Sequence, residues 1–224
     1  MLKIIFRGFP AFILAGLCAA APDQGAEGVK VRFLAQAVPN DLGKVALAAA
    51  ENRSAPFDLP MNNLSAEQEP PSLVFSVWSL DKNLSLATVK LPEEGKDFIC
   101  LLLLNPGKPG YSPVVLPANK PGFGSGDVYV FNNANKPVLG FLGSSKFELN
   151  PGMSTVVTPR GGEERFYRIG LGVKEPEGNR LIKSMKWPKS AQTRYYVFFY
   201  VDPVKDRITY RAVDEFLPPK PDGR

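Results

Sequence analysis

The sequence predicts an exported all-β protein whose amino terminus is a secretory signal. Two observations support the fold class: the 22 prolines and 20 glycines fall between short apolar runs, and several of those runs alternate apolar and polar residues. Such spacing separates strands and leaves little room for long helices. The third observation is a repeat of strand and turn motifs about 97 residues apart, described below.

Strand-like segments occur throughout the chain. Val29–Ala35 alternates apolar with basic residues, whereas Val45–Ala50 is also compatible with a short helix by composition. The other predicted strands are 72–80, 84–91, 97–104, 111–116, 127–132, 137–143, 146–149, 154–158, 165–173, 180–187, 194–201 and 207–213. Many short strands with Gly/Pro turns are typical of β-sandwiches and β-barrels.

Two halves of the sequence contain matching motifs. Lys90-Leu91-Pro92 precedes the apolar run Phe98–Leu104, and Lys186-Trp187-Pro188 precedes the run Tyr195–Val201. Both runs lead into an Asn-Pro or Asp-Pro turn. A repeat of this length is too long for a solenoid unit and suits one sandwich domain.

The predicted organisation is therefore two tandem β-sandwich domains related by internal duplication. Each resembles an immunoglobulin-like domain in strand number and size only, since the antibody-type cysteine pair is absent. The predicted segments are a signal peptide at 1–20, a first repeat at 21–116, a linker at 117–126, a second repeat at 127–217 and an extended tail at 218–224.

The amino terminus reads as a secretory signal, with cleavage after Ala20. Lys3 and Arg7 precede an apolar stretch, which is followed by small residues. The stretch is too short to span a bilayer, so no transmembrane span is predicted in the mature chain. Lipoprotein anchoring through Cys18 is the alternative, although Leu17 stands where a lipobox has a small residue.

No catalytic, metal or cofactor site is predicted. The chain has no histidine, which removes the commonest general base and imidazole metal ligands. Adjacent acids such as Asp214-Glu215 point to opposite faces of a strand, and Cys100 lies in an apolar run. The charge of +5 is too diffuse for a nucleic-acid interface.

The apolar strands carry the functional hypothesis, because both of their faces are apolar. On one face of the second run lie Arg194, Tyr196, Phe198 and Tyr200. Either the two repeats cover these faces mutually, or a long loop folds over them, or this face forms a recognition surface together with Trp187. Tyr, Trp and Arg are enriched at binding hot spots.

The sequence therefore predicts an exported, non-enzymatic protein-interaction or structural module of the cell envelope. Its expected partner is another envelope protein or a polysaccharide. The alternative function is a carbohydrate-binding module that uses an aromatic surface on the second repeat. A hydrolase built from distant carboxylates is the third hypothesis.

Overall fold

The computed structural model describes residues 26–105, 108–119, 121–202 and 205–217. These residues form β-strands and loops, with no helix among them. The predicted signal peptide, Cys18 and the predicted tail at 218–224 lie outside the described residues. The all-β prediction is confirmed for the described part of the chain.

Among the described residues, fifteen strands make up four sheets. The strands are β1 (Lys30–Ala35), β2 (Val45–Ala49), β3 (Asn52–Arg53), β4 (Val74–Ser79), β5 (Leu84–Lys90), β6 (Asp97–Leu104), β7 (Tyr111–Pro117), β8 (Val128–Asn133), β9 (Val138–Leu142), β10 (Ser145–Leu149), β11 (Ser154–Val157), β12 (Phe166–Glu175), β13 (Gly178–Pro188), β14 (Thr193–Asp202) and β15 (Arg207–Phe216). Every segment predicted as a strand overlaps an observed strand, and the segment at Val45–Ala50 contains strand β2. Only β3 was missed.

The first half (26–117) contains two sheets, which we call the first outer sheet (β3-β2-β4-β5) and the first inner sheet (β1-β6-β7). The second half (128–217) contains the second outer sheet (β10-β9-β12-β13) and the second inner sheet (β11-β8-β14-β15). The two sheets of each half pack on a shared apolar core. Each half is therefore a sandwich-like pair of sheets.

Strand pairing follows the same pattern in both halves. β1 runs parallel to β6 with Val31 opposite Phe98, and β8 runs parallel to β14 with Val128 opposite Tyr195. The outer sheets also share a β-bulge, which leaves Leu86 unpaired in β5 and Ile182 unpaired in β13. Both bulged side chains pack on the core of their own half.

The strand order differs from that of an antibody constant domain. The first half divides seven strands into four and three, as that domain does, but β1 lies beside β6 in the three-stranded sheet. In the antibody domain the first strand belongs to the four-stranded sheet. The resemblance therefore extends to strand number and layering, and not to strand order.

A third apolar cluster joins the two inner sheets, and we call it the inter-half interface. The first half contributes Leu34, Ile99, Leu101, Leu103 and Leu116; the second half contributes Tyr129, Phe131, Tyr196, Phe198 and Val213. Ala118 and Phe123, in the predicted linker, are also buried in this cluster. Strands β6 and β14 are thus covered on both faces, which explains their unbroken apolar sequences.

Candidate functional site

Three residues of the sequence-predicted recognition surface lie in the inter-half interface. Arg194, Tyr196 and Phe198 are 4%, 1% and 3% exposed. The ring of Tyr196 packs edge-on against Phe123, with centroids 5.2 Å apart, and lies near Phe198 on the same strand. Tyr200, at the end of this row, is only half-buried. This face of β14 therefore packs against the first half.

A buried polar network crosses the same interface. Arg194 Nε donates to Glu215 Oε2 at 2.7 Å, and Tyr196 Oη donates to the same oxygen at 2.5 Å. Arg32, on β1 of the first half, donates to Glu215 Oε1. The Glu215 carboxylate thus joins β1, β14 and β15 through charge-assisted hydrogen bonds, which are the stronger kind.

Electrostatics keeps Glu215 ionised in this site. Burial alone would raise the pKa of its carboxyl, but hydrogen bonds from Arg194, Tyr196 and Arg32 outweigh burial and hold the pKa below its usual value. Burial and the hydrogen bond to Glu215 raise the pKa of Tyr196. The network therefore contains a carboxylate, two guanidinium groups and a neutral phenol.

Arg194 is further fixed by groups from the segment between the halves. Its Nη1 donates to the carbonyl oxygens of Ala118 at 2.7 Å and Phe123 at 3.3 Å. Its guanidinium carbon lies 4.6 Å from the centroid of the Phe123 ring, within cation–π range. This side chain is held by Glu215, by two backbone carbonyls and by the Phe123 ring, and it is therefore a structural element of the interface.

Trp187, the fifth predicted site residue, lies elsewhere, at the edge of the second outer sheet. Its ring stacks on Tyr195 with centroids 4.7 Å apart, and Tyr167 meets it edge-on at 6.4 Å. The Tyr167 hydroxyl is buried without a hydrogen-bond partner among the described residues, and burial raises its pKa. Trp187 itself is half-buried.

Sequence reasoning missed the outer face of the second outer sheet. Phe141 of β9 pairs with Gly170 of β12, and Leu139 of β9 pairs with Gly172 of β12. On the other side of β12, Gly172 pairs with Leu181 of β13. A Cβ atom on Gly170 would lie 2.3 Å from Cε1 of Phe141, so the phenylalanine ring covers this glycine. Leu181 is 62% exposed.

These apolar side chains line a shallow groove of about 300 Å³. Lys146 and Arg180 lie at its rim, and Arg180 pairs with Glu175 at 3.0 Å. A repeat comparison offers a signal for this groove, because Phe141 and Gly170 stand where the first half has the small residues Ala48 and Ser76. The groove is an accessible apolar surface flanked by positive charge.

Chemically reactive groups are few in the described ranges. Cys100 is fully buried, and burial raises the pKa of its thiol well above the usual range, so the thiol stays neutral and inert. No cluster of three or more His, Cys, Asp or Glu residues suited to a metal ion occurs among the described residues. The described residues also include no helix of the length and hydropathy that a bilayer crossing requires.

No protein-family model matches this chain, and no curated protein matches it in sequence.

Proposed function

We propose that this chain is an exported, non-enzymatic protein-interaction or structural module of the cell envelope. In this proposal its binding surface is the groove on the second outer sheet. The observation that carries the proposal is the exposed Phe141 and Leu181 pair over a glycine-lined floor. Exposed apolar patches with a polar rim are typical of interaction sites.

The two halves serve this function as a rigid support. The inter-half interface buries about ten large side chains, and covering each one contributes roughly 1.5–3 kcal/mol. We further propose that the halves arose by duplication, an idea supported by the shared pairing of β1 with β6 and β8 with β14. The second copy would then have acquired the binding surface.

The proposal of export depends on residues 1–20, and mass spectrometry tests it. The protein recovered from the envelope or medium should begin at Ala21 or Pro22, because a signal peptidase reads the small residues before that point. The control is the chain made without residues 1–20, which should remain in the cytoplasm. An intact Met1 would contradict export, and a diacylglycerol adduct on Cys18 would identify a lipoprotein instead.

The binding surface is tested by affinity capture with matched variants. The tagged mature protein is incubated with the envelope fraction, and captured proteins are identified. Phe141→Ser together with Leu181→Ser should abolish capture, because the change removes the apolar contacts of the groove. Val74, which is also exposed but lies in the first half, provides the control, and Val74→Ser should leave capture unchanged. Equal capture by all variants would reject the groove.

The carbohydrate-binding alternative would use the half-exposed ring of Trp187. Tyr195 stacks on one face of this ring and Tyr167 meets the ring edge-on, so a sugar would contact the part of the ring that remains exposed. Retention on envelope polysaccharide, lost in Trp187→Ala and kept in Phe141→Ser, would support this function over the protein-binding one.

A further inference from the structure

The two halves differ at one lateral edge of their sandwiches. In the first half the edge strands β5 and β7 lie against each other, and a Cβ atom on Gly110 would be 2.4 Å from the carbonyl oxygen of Leu86. In the second half the corresponding edge strands, β13 and β15, make at most isolated contacts. The first sandwich is therefore closed at this edge, and the second is open. We call the opening between β13 and β15 the seam.

The residues at the edge differ in the same way. Strand pairing places Lys183 and Met185 of β13 where β5 has Ala87 and Val89. Ala87 and Val89 are buried, whereas Met185 is half-buried and Lys183 is exposed. Trp187 likewise replaces the buried Leu91. Positions that belong to the core in the first half thus remain partly accessible in the second half.

Strand β15, which lies across the seam from β13, is also partly uncovered. On β15, Ile208 and Tyr210 pack on the core of the second half, and Ala212 and Asp214 continue the same row toward Tyr195. Both Ala212 and Asp214 are exposed, although this row faces inward. Inward side chains of a sandwich normally pack against the opposite sheet, so β13 leaves this part of the β15 row uncovered.

The edge of β13 is also available for backbone pairing. β13 is the last strand of the second outer sheet and is paired on one side only. Its 11 residues form the longest strand among the described residues. A free edge of this kind is the template that strand-adding partners use.

The charge of β13 indicates which kind of strand would pair with it in the seam. β13 carries Arg180, Lys183 and Lys186 and no acidic residue. Arg180 pairs with Glu175 and Lys186 pairs with Glu163, whereas Lys183 has no ion-pair partner among the described residues. A second copy pairing through β13 would bring like charges together, which destabilises a sheet. An acidic strand would pair favourably.

We propose that the seam receives an extended acidic segment of a partner polypeptide, which adds to the second outer sheet alongside β13. Lys183, Met185 and Trp187 lie on one face of β13. Apolar residues at alternate positions of that segment therefore cover Met185 and Trp187, and the next position on the same face carries a carboxylate that meets Lys183. The inference deepens the proposed function, on which it rests, because it names the class of partner and a second contact site.

Fluorescent peptides of about ten residues, a usual strand length, provide the probe. In both sets valine occupies the alternate positions that face Met185 and Trp187, and threonine occupies the positions between them. The next position on the valine face, opposite Lys183, is glutamate in one set and lysine in the other. Fluorescence anisotropy should show binding of the glutamate set only. Lys183→Glu should weaken that binding at least about tenfold and should favour the lysine set, since like charges repel at an interface.

Lys90→Glu is the matched control, because it makes the same charge change on the edge strand β5 of the first half. It should bind both peptide sets as the wild type does. Absence of glutamate-peptide binding, or binding unaffected by Lys183→Glu, would overturn the seam proposal. So would a dimer in solution that Lys183→Glu dissociates, which would identify a second copy as the occupant.

Envelope capture and peptide binding together distinguish failure of the seam from failure of the groove. If envelope capture depends on Phe141 and Leu181 while the peptides do not bind, the seam proposal fails and the groove remains. If neither groove nor seam variants change capture, both proposals fail.

Discussion

Glu215→Gln is expected to lower the free energy of unfolding by about 3–5 kcal/mol. The change removes the one negative charge that Arg194, Arg32 and Tyr196 share, so the guanidinium of Arg194 is left buried without its counter-ion. Breaking a buried pair from one side is costly because the remaining charge stays desolvated. Urea-induced unfolding at neutral pH measures the loss.

The neighbouring residue provides the control. Asp214 is exposed and faces the seam, on the opposite side of β15 from Glu215. Asp214→Asn should therefore change stability by no more than about 0.5 kcal/mol, as exposed substitutions usually do. Equal effects of the two changes would show that the interface network contributes no special stability.

A charge-free replacement tests the electrostatic explanation further. Arg194→Met combined with Glu215→Leu removes both buried charges and keeps apolar volume. Such replacements are often neutral or stabilising, so the double variant should be more stable than Glu215→Gln alone. A double variant as unstable as the single one would indicate that packing, and not charge pairing, explains the loss.

The same carboxylate makes stability depend on pH. Because the folded-state pKa of Glu215 lies below its unfolded value, its contribution is fully present above the unfolded pKa of about 4.3. The contribution is lost as the pH falls through the folded-state pKa. The difference in stability between wild type and Glu215→Gln should therefore shrink as the pH is lowered into the acid range.

Much of the fold could be predicted from the sequence, because the strand pattern is local. Asp97–Leu104 was predicted with the bounds that β6 has, since a continuous apolar run between turns has few alternatives. β3 was missed because Asn52 and Arg53 are polar and form a strand only by backbone pairing to β2. Pairing of that kind leaves no apolar pattern.

The inter-half interface was anticipated in part. Two apolar faces on one strand require a cover, and mutual cover by the two halves was one hypothesis beside cover by a long loop and cover by a binding partner. The network around Glu215 could not be predicted, because Arg32 and Glu215 are 183 residues apart. In its local sequence, Arg32 is one of the polar residues of an alternating strand. Asp214 and Glu215 are adjacent acids whose side chains point to opposite faces of their strand.

The open seam was also missed, although the repeat contains a signal for it. Aligning Lys90-Leu91-Pro92 with Lys186-Trp187-Pro188 places Lys183 at Ala87. A lysine in one half at a position that matches a core position of the other half indicates that the lysine is exposed in its own half. Whether two edge strands touch depends on how the sheets twist and on the paths of the loops. Neither can be predicted from the local pattern of a single sequence.

The largest loss is expected from changing Tyr196, Phe198 and Tyr200 together to serine. Tyr196 and Phe198 are almost completely buried between the inner sheets, and each large-to-small change in a core costs about 3–5 kcal/mol. A typical domain has only about 5–15 kcal/mol of stability. The triple variant should therefore be largely unfolded or aggregated at room temperature, as near-UV circular dichroism would show.

An exposed triple provides the comparison. Met153, Leu181 and Phe216 are 57%, 62% and 63% exposed, and their joint change to serine should leave the melting temperature close to that of the wild type. Since the triple interface variant gives no graded signal if it does not fold, Phe198→Ala alone is the quantitative variant. It should lower the melting temperature measurably while the protein still folds.

The two tryptophans make the coupling between the halves measurable. Trp78 lies on β4 in the first half and Trp187 on β13 in the second, so Trp187→Phe and Trp78→Phe variants each report one half by fluorescence. If the interface makes the halves one cooperative unit, Phe198→Ala in the second half lowers the melting temperature reported by Trp78 in the first. A Trp78 transition that is insensitive to Phe198→Ala would show that the halves unfold independently. The interface would then hold the halves in place without stabilising the first half.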